Sequence, residues 1–278
     1  MGSTASRIYR SVLSRIGVLW EHASVEVHHP PPPGSRVLVL GIYLANRANT
    51  VQHLMEAFGR TQQCHVEQRW IALNGEPATS LQRQLTVRVV MQRTPKFQLL
   101  NELLADIDLS SFDDLLVCDD DVRVPHNFVD AFIGWKHRLG FGLAQPARTL
   151  NSHVDHRLVR HRPWLHARRT RFVEIGPVFC IDRSMFDTLL PFDEASPMGW
   201  GYDLVWPMQV AAAGGALGVI DATPVDHSLR GRGEAYSSDQ ELLTMAGYLA
   251  EHPHLLSHEA FQVIEHYPRW RRREAVIT

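Results

Sequence analysis

The stretch LLVCDDD, residues 115–121, decides the fold. Its four apolar residues have the length and character of a buried strand, and three consecutive aspartates end it. Because like charges repel, three carboxylates at the end of a strand need a specific reason. In open α/β sheets, ligands bind beyond the carboxyl ends of the strands. We therefore expect this strand to belong to such a sheet, with its aspartates at a ligand site.

Strand-like and helix-like segments alternate before that stretch. Residues 36–44 (RVLVLGIYL) form a continuous aliphatic run, which is typical of a strand buried on both faces of a parallel sheet. Further strands are predicted at 65–73 and 85–92, and helices at 51–60, capped by the Thr50 side chain, and at 96–106. The alternation predicts an α/β fold whose mixed, mostly parallel sheet is flanked by helices.

The pattern continues after the aspartates. We expect a helix at 127–140, a short strand at 142–147 and a longer one at 171–183. A helix within 204–215 and a last strand at 216–227 follow. The Arg- and His-rich segment at 153–171 is expected to form an exposed basic loop.

The chain divides into a large domain and two extensions. Residues 1–33 contain an amphipathic helical pattern at 5–22 and end in four prolines, which favour an extended linker. Residues 34–236 form the predicted catalytic domain. Residues 237–278 are expected to be a helical extension with a basic tail.

Composition narrows the class of protein. The 278 residues carry 28 Lys and Arg against 30 Asp and Glu, so no global basic field predicts nucleic acid as a partner. Three widely spaced cysteines give no disulfide framework and fit a reducing, cytoplasmic setting. We find neither a signal peptide nor an apolar run of membrane-spanning length, although the N-terminal amphipathic pattern leaves peripheral membrane contact open. The oligomeric state is also open.

A divalent cation would relieve the repulsion among the aspartates. The Asp-x-Asp spacing lets Asp119 and Asp121 converge on one hard ion while Asp120 points elsewhere. Oxygen ligands with open positions suit Mg²⁺ or Mn²⁺, and substrate phosphates can complete the shell. A solvated acidic turn without a metal is the alternative interpretation.

Three other positions carry residue types that suit the same chemistry. Trp200 and Asp203 lie in a glycine-rich stretch, PMGWGYDLVWP, residues 197–207. His227 follows a predicted strand, and Lys96 opens a predicted helix, where backbone N–H groups and an ammonium could hold a phosphate. Each also has a plain structural interpretation: a packed Trp, a helix-capping Asp, a core or surface His and a surface Lys.

Taken in order, these stretches resemble a glycosyltransferase of the GT-A fold, similar to glycosyltransferase family 2. The strand ending in DDD resembles the Asp-x-Asp motif of that fold, and residues 172–221 resemble its acceptor half. The sequence is most similar to a plant and bacterial domain family of unassigned function that is grouped with glycosyltransferases. Its members carry a Trp-Gly-x-Asp motif like WGYD at 200–203. The resemblance covers roughly residues 36–236.

The resemblance implies a role for each candidate site residue. The metal, Mn²⁺ or Mg²⁺, would be bound by Asp119, Asp121 and His227. The nucleotide of the donor would be bound by Asn46, Lys96, Asp119, Asp120 and Arg232. The acceptor would contact Glu174 and Trp200, with Asp203 as the catalytic base.

The implied reaction moves a sugar from a nucleotide-diphosphate donor to a hydroxyl of a glycan or other acceptor. A single base at Asp203 implies inversion at the anomeric carbon. The sequence departs from many family 2 enzymes here, because Tyr202-Asp203 stands where they have Glu-Asp. Glu174 lies in an apolar segment, where its charge needs a partner such as Arg171.

Two other functions remain open from the sequence. A metal-dependent phosphohydrolase or nuclease could use the same Asp and His residues on an α/β sheet. A non-catalytic nucleotide-sugar-binding module could keep the sheet without the chemistry.

Overall fold

The computed structural model describes residues 23–230 and 238–269. The predicted helix at 5–22, Arg232 and most of the basic tail lie outside these residues. None of the helices in the described part is both long and apolar enough to cross a membrane.

The described residues contain nine strands and eight α-helices. The strands are β1 (Arg36–Leu44), β2 (His65–Leu73), β3 (Thr86–Val90), β4 (Asp114–Asp119), β5 (Leu143–Arg148), β6 (Leu165–Thr170), β7 (Val178–Asp182), β8 (Leu217–Val225) and β9 (Val263–Pro268). The helices are α1 (Val51–Gly59), α2 (Ser80–Leu85), α3 (Lys96–Leu104), α4 (Phe128–Leu139), α5 (Phe186–Leu189), α6 (Tyr202–Ala212), α7 (Ser238–Glu251) and α8 (Ser257–Ala260).

All nine strands belong to one mixed sheet. Their order is β3-β2-β1-β4-β7-β5-β8-β6-β9. The pairs β3–β2, β2–β1, β1–β4 and β5–β8 are parallel. The remaining pairs are antiparallel. Because β1 and β4 are parallel neighbours, their carboxyl ends meet at one edge of the sheet, and the three aspartates lie there. The predicted α/β class is confirmed.

The sheet is the middle of three layers, as β1 illustrates. Val37 and Val39 pack in the core formed with α1 and α4 on one face. Leu38 and Leu40 pack on the other face, in the core with α3 and α6. All four side chains are fully buried. A strand between two helical layers has no solvent-facing side, which explains the uninterrupted aliphatic run in its sequence.

Two segments differ from the sequence-based expectation. The Arg- and His-rich segment is partly a strand, because β6 pairs with β8 and the buried Arg168 forms an ion pair with Asp221 at 2.8 Å. Among the described residues after 237, the last element is a strand, since β9 adds to the edge of β6. Both errors have one cause: partners distant in sequence supply the pairing that local patterns cannot reveal.

Candidate functional site

Two of the three aspartates that end β4 have partners from neighbouring elements. Oδ1 of Asp119 lies 2.5 Å from the ammonium of Lys96, the first residue of α3. Oδ2 of Asp120 accepts a hydrogen bond from the backbone N–H of Leu44, the last residue of β1, at 2.7 Å. The repulsion among the aspartates is therefore relieved in part by groups at the ends of adjacent elements.

The third aspartate lies between an imidazole and a guanidinium. Oδ1 of Asp121 is 3.3 Å from Nε2 of His227, and Oδ2 accepts a hydrogen bond from Nε of Arg230 at 3.1 Å. The same guanidinium donates to Asp120 through Nη1 at 3.3 Å and through Nη2. Burial alone would raise the pKa of Asp121, but His227 and Arg230 together lower it below its usual range.

Thr50 holds the turn that carries the aspartates. Its hydroxyl donates to the carbonyl oxygen of Asp120 at 3.0 Å and to that of Val122 at 2.5 Å. Its backbone N–H also donates to Asp120, at 2.6 Å. The hydroxyl makes no capping hydrogen bond to α1, so the predicted role of its side chain is wrong. The turn after β4 is more deeply buried than the helix terminus and offers carbonyl groups that need a donor.

His227 reaches the aspartates because β8 runs beside β5 to the same edge of the sheet. Its backbone N–H donates to Oγ of Ser152 at 2.9 Å, which fixes the residue where the strand ends. Its Nδ1 is buried and has no hydrogen-bond partner among the described residues. The ring therefore offers an unused polar atom inside the site.

Asp203 lies in the first turn of α6, directly after a glycine-rich loop. Gly201 precedes the helix with φ +95°, a conformation that side-chain-bearing residues rarely adopt. Burial, and then the negative charge of Glu174, raises the pKa of Asp203 to about 7. The carboxyl group is thus near the midpoint of its titration at neutral pH, as a general base requires.

Glu174 is held by Arg148, the last residue of β5. Its Oε1 lies 3.0 Å from Nη2 of Arg148, whose guanidinium also donates to the carbonyl groups of His153 and Gly176. Oε2 of Glu174 is buried and has no partner among the described residues. Glu174 was expected to pair with Arg171 or another nearby arginine, and its partner is Arg148, which is 3% exposed, whereas Arg171 is exposed and lies outside the sheet.

One cavity of about 530 Å³ joins these groups. The predicted site residues that line it are Lys96, Asp119, Asp120, Asp121, Glu174, Trp200, Asp203 and His227. Asn46 is not among its lining residues, although its neighbour Arg47 is. Arg148 and Arg230 also line the cavity, and Arg148 was not predicted as a site residue. Arg148 could have been found from the sequence, because it is the charged residue that ends the otherwise uncharged strand LAQPAR.

The far wall of the cavity comes from the C-terminal segment. Met245 of α7, Ser257 of α8 and Phe261 after α8 line it together with Trp200. The backbone N–H of Leu255 donates to the carbonyl of Leu204 at 3.0 Å, which ties this segment to α6. These residues carry no chemical motif, so their place in the cavity could not be predicted from the sequence.

The sequence-based metal ligands are close but do not converge. A metal site needs several ligand atoms from His, Cys, Asp or Glu side chains close together. In the described part of the chain, one group has such atoms all within 4.8 Å of one another, namely Asp114, His137 and Asp182. It lies at the opposite end of β4 from the cavity. The ammonium of the fully buried Lys136 is 2.6 Å from both of its carboxylates, so a protein cation already balances this group. We therefore do not assign it to the cavity's chemistry.

Comparisons with known proteins bear on the fold. No protein-family profile and no curated sequence matches the chain. Among solved structures, it is similar to GalNAc-T7 with UDP, GalNAc and Mn²⁺ (TM-score 0.54, 12% identity), over 77% of this chain and 47% of that one. It is also similar to the mannosyltransferase PcManGT from Pyrobaculum calidifontis with GDP-Man and Mn²⁺ (TM-score 0.47, 15% identity), over 81% and 65%.

These neighbours are GT-A glycosyltransferases, and the chain spans about half the length of GalNAc-T7. At 12% identity, the likeness concerns the course of the backbone and not the individual site residues. The chain has the GT-A fold.

Proposed function

We propose that this protein is a metal-dependent glycosyltransferase that moves a sugar from a nucleotide-diphosphate donor to an acceptor hydroxyl with inversion. One observation carries the proposal: a single cavity is lined both by a group of cations and aspartates and by a carboxyl group of raised pKa. A group-transfer enzyme needs both, because it must stabilise a leaving group and deprotonate a nucleophile within one enclosed space.

The donor diphosphate is assigned to the end that holds Lys96 and Arg230. Lys96 opens α3, so its ammonium and the N-terminal backbone amides favour phosphate together. Asp119 and Asp120 are assigned to the nucleotide as well, and Asn46 and Arg232 stay predictions from the resemblance. UDP- and GDP-sugars are the first donors to test, since the two structural neighbours were solved with such nucleotides.

The metal is assigned to Asp119, Asp121 and His227. Carboxylate oxygens with one imidazole nitrogen are a donor set that Mn²⁺ accepts, and Mg²⁺ accepts the oxygens. Nε2 of His227, which lies 3.3 Å from Oδ1 of Asp121, is the ring nitrogen that would bind the ion. When bound, the ion would neutralise charge that develops on the departing diphosphate.

Asp203 is assigned as the general base. It would take the proton of the acceptor hydroxyl while that oxygen forms a bond to the anomeric carbon. The bond between that carbon and the donor's phosphate oxygen breaks at the same time, and its electron pair leaves with the nucleoside diphosphate. Attack from the face opposite the leaving group inverts the anomeric centre, and Lys96 and Arg230 would stabilise the product anion.

Glu174 and Trp200 are assigned to the acceptor. Glu174 lines the cavity, where its carboxylate could accept a hydrogen bond from a sugar hydroxyl, and Arg148 keeps the carboxylate in place. Trp200, partly buried at the cavity, offers an aromatic face for a sugar ring. Both assignments require a hydroxyl-rich acceptor.

The experiment is a thermal-shift screen of UDP, GDP and ADP with and without Mn²⁺, followed by assays for sugar transfer and for slow hydrolysis of the matching nucleotide sugar. We expect one nucleotide to raise the melting temperature only when Mn²⁺ is present. Cleavage of phosphodiesters without any sugar transfer would replace this proposal with the phosphohydrolase. Nucleotide binding without either reaction would favour the binding module.

A further inference from the structure

Two protein cations neutralise the three aspartates at the donor end of the cavity. Lys96 contacts Asp119, and Arg230 contacts both Asp120 and Asp121. Asp120 and Asp121 are buried to more than nine-tenths of their surface. Buried carboxylates must be paired to remain charged, so Asp120 and Asp121 depend on a nearby cation such as Arg230.

Arg230 occupies the ligand atom that a metal at Asp121 would need. Its Nε is 3.1 Å from Oδ2 of Asp121, while Oδ1 of the same carboxylate is 3.3 Å from His227. Both oxygens are therefore engaged. A divalent ion at Asp121 would also lie within a few ångströms of the guanidinium, and two cations that close repel strongly in a partly buried site.

We propose that Arg230 is a built-in counter-cation which competes with the divalent ion for Asp121. Metal binding requires the guanidinium to leave that carboxylate, and the diphosphate of the donor gives it another anion to bind. Metal and nucleotide therefore bind cooperatively, through one arginine that has two possible partners. The nucleotide half of this statement rests on the proposed function, whereas the competition with metal does not.

The coupling must be reciprocal. If the nucleotide increases the affinity for metal by drawing Arg230 away, then metal increases the affinity for the nucleotide by the same factor. An arginine that only braced the fold would have the opposite effect when removed, because loss of its contacts would loosen Asp121 and weaken metal binding. Removal of Arg230 should therefore strengthen Mn²⁺ binding if the arginine competes with the metal, and weaken it if the arginine only braces the fold.

The test measures Mn²⁺ affinity directly, by titration calorimetry and by the electron paramagnetic resonance signal of free Mn²⁺, in the absence and presence of UDP or GDP. Arg230→Gln removes the charge, and Arg230→Lys keeps it while losing the planar fork that spans two carboxylates. Arg60→Gln removes the same charge from an exposed ion pair with Glu56 on α1 and serves as the matched control. Thermal denaturation establishes that each variant is folded.

We expect Arg230→Gln to bind Mn²⁺ alone about tenfold more tightly than the unaltered protein, with a smaller gain on adding nucleotide. Arg230→Lys should be intermediate, and Arg60→Gln should match the unaltered protein. Mn²⁺ affinity that is unchanged, weaker or undetectable in folded Arg230→Gln overturns the competition. If Mn²⁺ alone behaves as expected but neither nucleotide alters its affinity in the unaltered protein, the proposed donor class fails and the cooperative half of this proposal fails with it.

Discussion

At the residue scale, the chemistry depends on two neighbouring carboxyl groups with different surroundings. Glu174 has Arg148 at 3.0 Å, whereas the pKa of Asp203 is raised to about 7 by burial and by the charge of Glu174. Arg148 opposes the effect of burial on Glu174, although the pKa of that group is still raised. One paired carboxylate beside one unpaired carboxyl is an arrangement that separates acid and base roles.

Replacing Asp203 should test its proposed role directly. Asp203→Asn removes the proton acceptor while keeping the side-chain volume, so we expect sugar transfer to fall by about 10²- to 10⁴-fold. Mn²⁺-dependent nucleotide binding should be retained, because Asp203 is assigned to neither the metal nor the nucleotide. Steady-state kinetics and the thermal shift measure the two effects, and full turnover by the variant would remove Asp203 from the mechanism.

The charge of Glu174 should set the pH dependence. Asp203 acts as a base only when ionised, so activity should rise as the pH increases through about 7. Glu174→Gln removes the like charge that raises the pKa of Asp203, and the rise should therefore move to lower pH. The pH profile of kcat/KM measures this shift, with Glu102→Gln, outside the cavity, as the control. A profile that stays in place would show that another group titrates.

At the element scale, a buried charge network joins α4 to the sheet. Lys136 is fully buried, and its ammonium lies 2.6 Å from Asp114 on β4 and from Asp182 on β7. His137 adds a contact of 2.7 Å to Asp114. This network fixes the beginning of β4, whose other end carries the aspartates, so the register of that strand is set from both ends.

Removing the lysine should destabilise the fold strongly. Lys136→Met leaves the buried carboxylate of Asp114 and the half-buried one of Asp182 without their cation, and we expect a loss of about 3–5 kcal/mol in the free energy of unfolding. Urea denaturation measures the change. Asp114→Asn added to Lys136→Met should recover part of the loss, because one of the uncompensated charges is removed. Unchanged stability in the single variant would mean that the network contributes little.

At the scale of the whole molecule, the C-terminal segment completes both the sheet and the cavity. β9 pairs with β6 at the edge of the sheet, and Phe261 stacks on His156 with ring centroids 4.4 Å apart. Phe261 also meets Phe172 edge-on at 5.0 Å. The C-terminal segment thus supplies part of the cavity wall.

That wall should matter for the acceptor more than for the donor. Phe261→Ala opens the acceptor side, so we expect KM for the acceptor to rise several-fold while nucleotide binding stays within about twofold. Ile264→Ala, at a 55% exposed position on β9, is the control and should leave both unchanged. Acceptor titrations at saturating donor measure the difference. A loss of nucleotide binding in Phe261→Ala would place the donor at this end of the cavity.

The sequence by itself determined the fold class and the edge of the sheet at which the site lies. The aliphatic runs of β1 and β4 are hydrophobic enough to be read as strands buried on both faces, and the carboxyl ends of parallel strands share an edge. The acidic triplet and the WGYD stretch were visible because charged and aromatic residues interrupt apolar patterns. The spacing of apolar residues within a strand or helix depends only on neighbouring positions, so it can be recognised without the tertiary structure.

The tertiary structure alone decided which groups meet. Arg230 reaches Asp121 across 109 positions of the chain, and Arg148 reaches the loop of Glu174 and Gly176 across 28. Such pairs depend on strand order and on crossovers, which leave no periodic trace in either segment. The same reason explains β6, β9 and the wall that includes Phe261: each becomes buried or paired only because a distant strand or helix lies beside it.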